Sequence, residues 1–262
     1  MELFFRKEGH PALPPLILLH GLWGASDNWL PVARLLSEHF FVLLPDCRNH
    51  GHSPHAPENN YPALVKDLEE FIDQLHLPVK PFLAGHSMGG KVIMHLLLRS
   101  PRIAAKAAIL DICPKTYPSM EEHCRLATFM TRFPLSHYHR REEIHRHIRQ
   151  CLGNEKECQI LFKNLYKTVS GFKWKTNTEV LQKYLPELAS WLPPAGQPSY
   201  PGPILFVKGE VSPYIQPQDD KIILSYFPQA RFSTLASASH WLHTDQPMLL
   251  SQTLSRFFLE EP

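Results

Sequence analysis

Glycine is scarce, with 12 among 262 residues, where an average chain carries about 7%. The 25 prolines are spread along the chain and read as loop punctuation, which excludes a Pro-rich tail. Cysteine is sparse too: five, at 47, 113, 124, 151 and 158, with no Cys-x-x-Cys pair. An odd, unpaired set argues against a disulfide framework and fits a reducing compartment. Net charge is only +2, from 27 Lys plus Arg against 25 Asp plus Glu. The basic excess of a nucleic-acid binder is absent. No apolar run approaches the roughly 18 residues that span a bilayer. Met1-Glu2-Leu3-Phe4-Phe5-Arg6-Lys7-Glu8 lacks the basic-then-apolar layout of a signal peptide. These absences point to a cytoplasmic globular protein, long enough to bury one large core without metals or disulfides.

What is present is an alternation. Leu16-Ile17-Leu18-Leu19, Phe40 to Leu44, Pro81 to Ala84 and Ala107 to Leu110 read as buried strands. Between them, Asp27 to His39, Leu64 to Leu75 and Val92 to Leu98 carry apolar residues at helical spacing. This is the pattern of parallel βαβ units. After Cys113-Pro114 the rhythm becomes helical throughout, with one expected face running Cys158, Leu161, Phe162, Leu165, Tyr166, Val169. Alternation resumes with a strand at Ile204 to Val207, a helix to Tyr226, a strand at Arg231 to Leu235 and a closing helix at Met248 to Leu259. A structureless loop of roughly ninety residues is implausible inside a compact domain. The expected organisation is therefore an α/β core, 1–113 and 203–262, interrupted by a helical cap, 114–202.

Three local patterns carry chemistry. Gly85-His86-Ser87-Met88-Gly89 follows a strand and opens a helix, as a nucleophile elbow requires. The turn must be tight enough to strain the serine backbone, and a Cβ at Gly85 or Gly89 would collide with neighbouring chain. His20-Gly21-Leu22-Trp23-Gly24 follows the first clear strand. There the amide of Leu22 can join that of Met88 as an oxyanion donor, since acyl transfer needs two preorganised N–H groups. His240, in Ala238-Ser239-His240-Trp241-Leu242-His243, falls in the loop after the last strand, where the base belongs in the order nucleophile, acid, base. His243 is the nearest rival, expected to start the closing helix and face elsewhere.

With Asp46-Cys47-Arg48-Asn49-His50-Gly51-His52-Ser53, these motifs resemble the α/β-hydrolase superfamily, and within it the YbfF-like esterases and thioesterases. Leu110-Asp111-Ile112-Cys113-Pro114 and Ser212-Pro213-Tyr214 match that subfamily as well, so the similarity spans almost the whole chain. The resemblance implies a mostly parallel sheet with helices on both faces. It also bears on the acid. Most relatives carry Asp in a Gly-x-x-Asp turn after the superfamily's seventh strand, but here that turn reads Gly209-Glu210-Val211-Ser212. A serine cannot stabilise an imidazolium by charge. Asp111, Glu210, and Asp219 or Asp220 remain as candidates, and the subfamily's pattern points to Asp111, beside the strand bearing Ser87.

The implied function is a serine hydrolase of esters or thioesters, with Ser87 as nucleophile, His240 as base and Asp111 as acid, and with no metal or organic cofactor. Its substrate would be a small ester or an acyl-CoA, with no nucleic-acid partner. Two alternatives are a same-fold lyase, of the kind that eliminates pyruvate in menaquinone synthesis, and a non-catalytic binding module. Haloalkane dehalogenase is excluded, since it needs a carboxylate at the position of Ser87.

Other clusters read as structural. His50, His52 and His55 lack metal-ligand spacing, and Asp46 is expected to pair with Arg48 to fix their loop. Cys47 and Cys113 are expected as small buried hydrophobes, and Ile144, Ile148, Cys151 and Leu152 as cap core. His137, His139, His145 and His147 are expected on a solvated cap face. Residues 114–202 hold 13 Lys plus Arg against 8 Asp plus Glu, net +5, which leaves −3 for the rest. That charge either keeps the cap soluble or lets Arg140, Arg141, Arg146, Lys163 or Lys167 attract the phosphates of coenzyme A.

Overall fold

The computed structural model describes residues 1–196 and 198–260. Seven strands form the main sheet: β1 (Phe5–Glu8), β2 (Pro15–Leu19), β3 (Phe41–Pro45), β4 (Phe82–His86), β5 (Ala107–Leu110), β8 (Ile204–Gly209) and β9 (Ala230–Leu235). Their order is β1-β3-β2-β4-β5-β8-β9, and only the β1–β3 pairing is antiparallel. Alternate residues of each inner strand point to opposite faces, so Leu16 and Leu18 enter one core while Ile17 and Leu19 enter the other. Helices α1 (Leu30–Leu36) and α10 (Pro247–Leu259) cover the first core. Helices α2 (Tyr61–Gln74) and α3 (Met88–Arg99) cover the second, joined by Ile223 of α8 (Asp220–Tyr226). Burial on both faces is why β2, β4 and β5 read as unbroken apolar runs.

Two elements depart from the sequence reading here. Strand β1, Phe5-Arg6-Lys7-Glu8, is not announced by its residues, because an edge strand needs one partner only and tolerates charge. The expected helix from Asp27 to His39 is instead a 3-10 turn over Ser26–Trp29 and then α1. Pro31 lacks an N–H and suits the first turn of a new helix, so the break falls where it stands.

Between β5 and β8 lie α4 (Glu121–Arg132), α5 (Arg141–Leu152), α6 (Glu155–Asn164) and α7 (Thr178–Ala189). The expectation of helix alone fails at Leu165. Strands β6 (Leu165–Thr168) and β7 (Gly171–Trp174) pair as an antiparallel hairpin, with Leu165 opposite Trp174. Tyr166, Thr168, Phe172 and Trp174 favour a pleated surface, and Gly171 takes φ 128 beside a turn that leaves Val169 fully exposed. Ile144 and Ile148 are buried as expected, whereas Cys151 is exposed and Leu152 half-buried. At the far end of α7, Lys91 of α3 sends its Nζ to the carbonyls of Ala189 and Ser190, both at 2.9 Å. Burial pulls this ammonium down to about 7, while the carbonyl end of a helix favours its charge.

Asp46 and Arg48 do not pair. Asp46 accepts from the amides of Ser26 at 2.5 Å and His52 at 2.8 Å, joining two loops. Arg48 reaches Asp67 on α2 with two parallel bonds, Nε to Oδ2 at 2.6 Å and Nη2 to Oδ1 at 2.8 Å, and both residues are buried. Removing one partner of such a pair strands the other charge. Asp67→Ala should therefore cost about 3–5 kcal/mol. Urea titration will read this as a lower midpoint at unchanged slope.

Candidate active site

Ser87 stands at the junction of β4 and α3 with φ 52 and ψ −116, a conformation worth about 1–3 kcal/mol of strain in a non-glycine residue. The chain can turn this sharply because its flanks are bare. A Cβ on Gly85 would lie 2.5 Å from the carbonyl oxygen of Gly89, and one on Gly89 would lie 2.6 Å from that of His20. From Leu83 to Leu98, Ser87 is the single residue that is not buried. The adjacent Met88 opens α3, so its amide is among the first, unbonded N–H groups of the helix.

Asp111 follows β5, wholly buried and at φ 52. Three donors surround its carboxylate. The amide of Gly209 donates to Oδ1 at 3.0 Å, His240 Nδ1 donates to Oδ2 at 2.7 Å, and Ser212 Oγ donates to the same Oδ2. Ser212, in the turn Gly209-Glu210-Val211-Ser212, thus bonds to the carboxylate at the end of the neighbouring strand. With Nδ1–H donating to the carboxylate, the imidazole's lone pair lies on Nε2. Glu210 is exposed and accepts from the Ser237 amide at 2.8 Å. Asp219 pairs with Lys115, and Asp220 is exposed at the start of α8. Of the four acidic candidates, only Asp111 is bonded to His240.

Aromatic rings hold His240 from two sides. Tyr214 stacks on it, centroids 3.7 Å apart and planes at 11°. His86 sends Nε2–H to the carbonyl of His240 at 2.7 Å, tying the base loop to the elbow. Burial lowers the His86 imidazole well below its usual range, so it stays neutral and keeps that tautomer. His20 donates from Nδ1 to the Gly21 carbonyl at 2.8 Å and accepts the Cys47 amide on Nε2 at 2.9 Å. His243 does not face elsewhere. It lies in a separate short helix, α9 (Leu242–Asp245), buried with its ring 5.1 Å from His86 and 4.9 Å from Trp29.

The remaining clusters disperse. His50 Nδ1 donates to the Arg48 carbonyl at 2.8 Å, His52 packs on Phe4, and His55 Nε2 donates to the Lys175 carbonyl at 3.1 Å. Cys47 and Cys113 are buried. His137 and His139 are exposed, but His145 stacks on Phe162 at 3.8 Å and His147 bonds to Tyr138, so half of that set packs within the inserted segment. Of the five basic residues singled out, Arg141, Lys163 and Lys167 line one groove with Arg149 and Lys175, which Arg140 and Arg146 do not join.

Sequence reasoning misses three contributors. Tyr214 enters it only as part of a matching tripeptide, and His86 only as the spacer inside the elbow motif. His123, on α4, gives no signal. It accepts the Trp23 indole N–H at 3.1 Å, and burial together with His240 lowers its imidazole to about 4.

A profile of the alpha/beta hydrolase family matches residues 16–252. The chain is 35% identical to the esterase YbfF of Escherichia coli over 93% of its length and 92% of that protein. It is 32% identical to the mouse sn-1-specific diacylglycerol lipase ABHD11, over 95% of this chain and 82% of the relative. A solved marine microorganism esterase superposes with a TM-score of 0.93 at 35% identity, covering 98% of this chain and 99% of that one.

The buried histidines make stability depend on acid. An unfolded imidazole takes its proton near pH 6.5. His50 and His243 do so only at about 3 in the folded chain, and His95 and His123 only at about 4, each because of burial. Unfolding between those limits takes up protons, so stability falls as pH drops below about 6.5. Denaturant titrations between pH 7 and 5 should show this decline, with an uptake approaching four protons from these residues.

Proposed function

Because the chain belongs to the alpha/beta hydrolase family, we propose that it is a serine hydrolase that cleaves carboxylic esters through an acyl-enzyme on Ser87. The observation that carries this reading is the bond from His240 Nδ1 to buried Asp111, which leaves Nε2 as a base for the strained elbow serine. As Ser87 Oγ bonds to the acyl carbon, its proton passes to His240 Nε2 and the carbonyl electrons move onto oxygen. The amides of Leu22 and Met88 hold that oxyanion, each worth about 10²–10³ in kcat by comparison with such donors elsewhere. Collapse breaks the bond to the leaving group, which departs with the proton from His240. Water, deprotonated by His240, then attacks the acyl carbon; the bond to Ser87 Oγ breaks, Oγ takes the proton back from His240, and the carboxylic acid leaves. No step calls for a metal or an organic cofactor. Residues 114–202 act as a cap on the core formed by 1–113 and 203–262, a reading supported by contacts from α4 and α6 to residues beside the site.

Ser87→Ala should fold normally and lose about 10⁴–10⁶ of kcat. Asp111→Asn should lose roughly 10³ or more, through the wrong tautomer, whereas Glu210→Gln should lose less than about tenfold. Aryl-ester assays and covalent capture by a fluorophosphonate test both the assignment and hydrolysis against lyase chemistry. Retention of a tenth of the activity in Ser87→Ala would refute the nucleophile.

The proposed activity extends to acyl-CoA thioesters. It is supported by the groove that gathers Arg141, Arg149, Lys163, Lys167 and Lys175, where Lys175 pairs with Asp27 and Arg149 with Glu155, leaving Arg141, Lys163 and Lys167 to face an anion. A smaller cavity shares Gln159 and Lys163 with it and is lined also by Trp241, the residue after His240. Phosphates attracted to such a groove feel a field screened over about 8 Å at physiological salt. For an acyl-CoA, kcat/KM should fall severalfold from low to high salt, while the same acyl group on an uncharged phenol changes little. Equal dependence for both would leave the groove as ordinary surface.

A further inference from the structure

Trp23 follows Leu22, whose amide holds the oxyanion in the proposed mechanism, and any role for Trp23 in catalysis rests on that reading. Gly24 N–H bonds to the Gly21 carbonyl at 3.0 Å, so residues 21–24 close a turn with Leu22 and Trp23 at its centre. Trp23 sits there at φ 63, in a place that glycine or asparagine ordinarily fills. This costs about 1–3 kcal/mol and persists only where the surroundings hold it. The turn also lies hard against the nucleophile: a Cβ on Gly21 would come within 3.2 Å of Ser87 Cβ.

Both groups that hold Trp23 come from the inserted segment. His123 of α4 accepts the indole N–H at 3.1 Å. Asn164, the last residue of α6, donates Nδ2–H to the Trp23 carbonyl at 2.6 Å. Asn164 is itself buried and fixed by a second donation, to the Ile160 carbonyl at 3.0 Å. An indole nitrogen can only donate, so His123 must keep its lone pair on Nδ1. Burial keeps that imidazole neutral across the physiological range.

We infer that His123 and Asn164 are positioning residues, which grip Trp23 and so aim the Leu22 amide at the oxyanion. The oxyanion site is then complete only while α4 and α6 are seated on the core. Trp23, only 2% exposed, is the link between them.

The readout is a split between kcat and KM, together with affinity for a trifluoromethyl ketone. Ser87 Oγ adds to that ketone, its proton passes to His240, and the adduct's oxyanion occupies the hole. Trp23→Phe keeps an aromatic ring and removes the donor; His123→Leu removes the acceptor at a half-buried position. Each should lower kcat and ketone affinity at least tenfold with KM changed less than twofold. The double variant should be no worse than either single one. His123→Asn, whose Oδ1 stands where Nδ1 was, should recover most of the loss. A change confined to KM or to melting temperature, or additive losses in the double variant, would overturn the inference. Because Ser87→Ala is assayed alongside, activity surviving in that variant marks failure of the underlying reading instead.

Discussion

A carboxylate with no exposed surface must gather its own donors, and Asp111 does so at the end of β5 with the Gly209 amide, Ser212 and His240. Those three contacts fix more than one side chain. They set the turn after β8 against the end of β5, and they hold the His240 ring with Nδ1 inward. His86 then binds the same loop from the elbow side, through a carbonyl, and Tyr214 closes the other face. The geometry around Ser87 is thus a set of histidines, each oriented by its own hydrogen bond, beside a buried carboxylate. Burial lowers the imidazoles of His20, His86 and His243 and so keeps those three rings neutral.

Much of this is legible in the sequence where the physics is local. Gly85 and Gly89 announce the elbow because a tight strand-to-helix turn cannot carry a Cβ there, and the collisions occur where expected. The inner strands are unbroken apolar runs because both faces of the sheet are covered. The pairing of His240 with Asp111 is legible only in part: the loop suggests His240, while Asp111 needs the family pattern, since strand spacing alone leaves several acids open. Contacts across long stretches of chain are not legible. Arg48 finds Asp67 and not Asp46, because α2 brings that carboxylate alongside while Asp46 is occupied by backbone amides. His123 meets Trp23 across 100 positions, and no spacing rule spans that distance. The β6–β7 hairpin escapes notice because four-residue strands inside a helical segment give too short a period to read.

The inserted segment is therefore more than an independent layer. It reaches the core at Trp23 through α4 and α6 and at Ser239 through Lys156, whose Nζ donates to Ser239 Oγ at 3.0 Å. Each contact falls within two residues of a group assigned to the chemistry. The surface lysine adds little stability in water, but the buried Asn164 bond is costly to break without a substitute.

Lys91 gives the inserted segment a further attachment to the core. Its backbone lies one helical turn past Ser87, with its amide bonded to the Ser87 carbonyl, and its ammonium holds the carbonyls where α7 ends. The return of the chain to the sheet is therefore anchored to the helix that presents the serine. One side chain thereby ties the helix that begins at Ser87 to the point where the inserted segment rejoins the sheet.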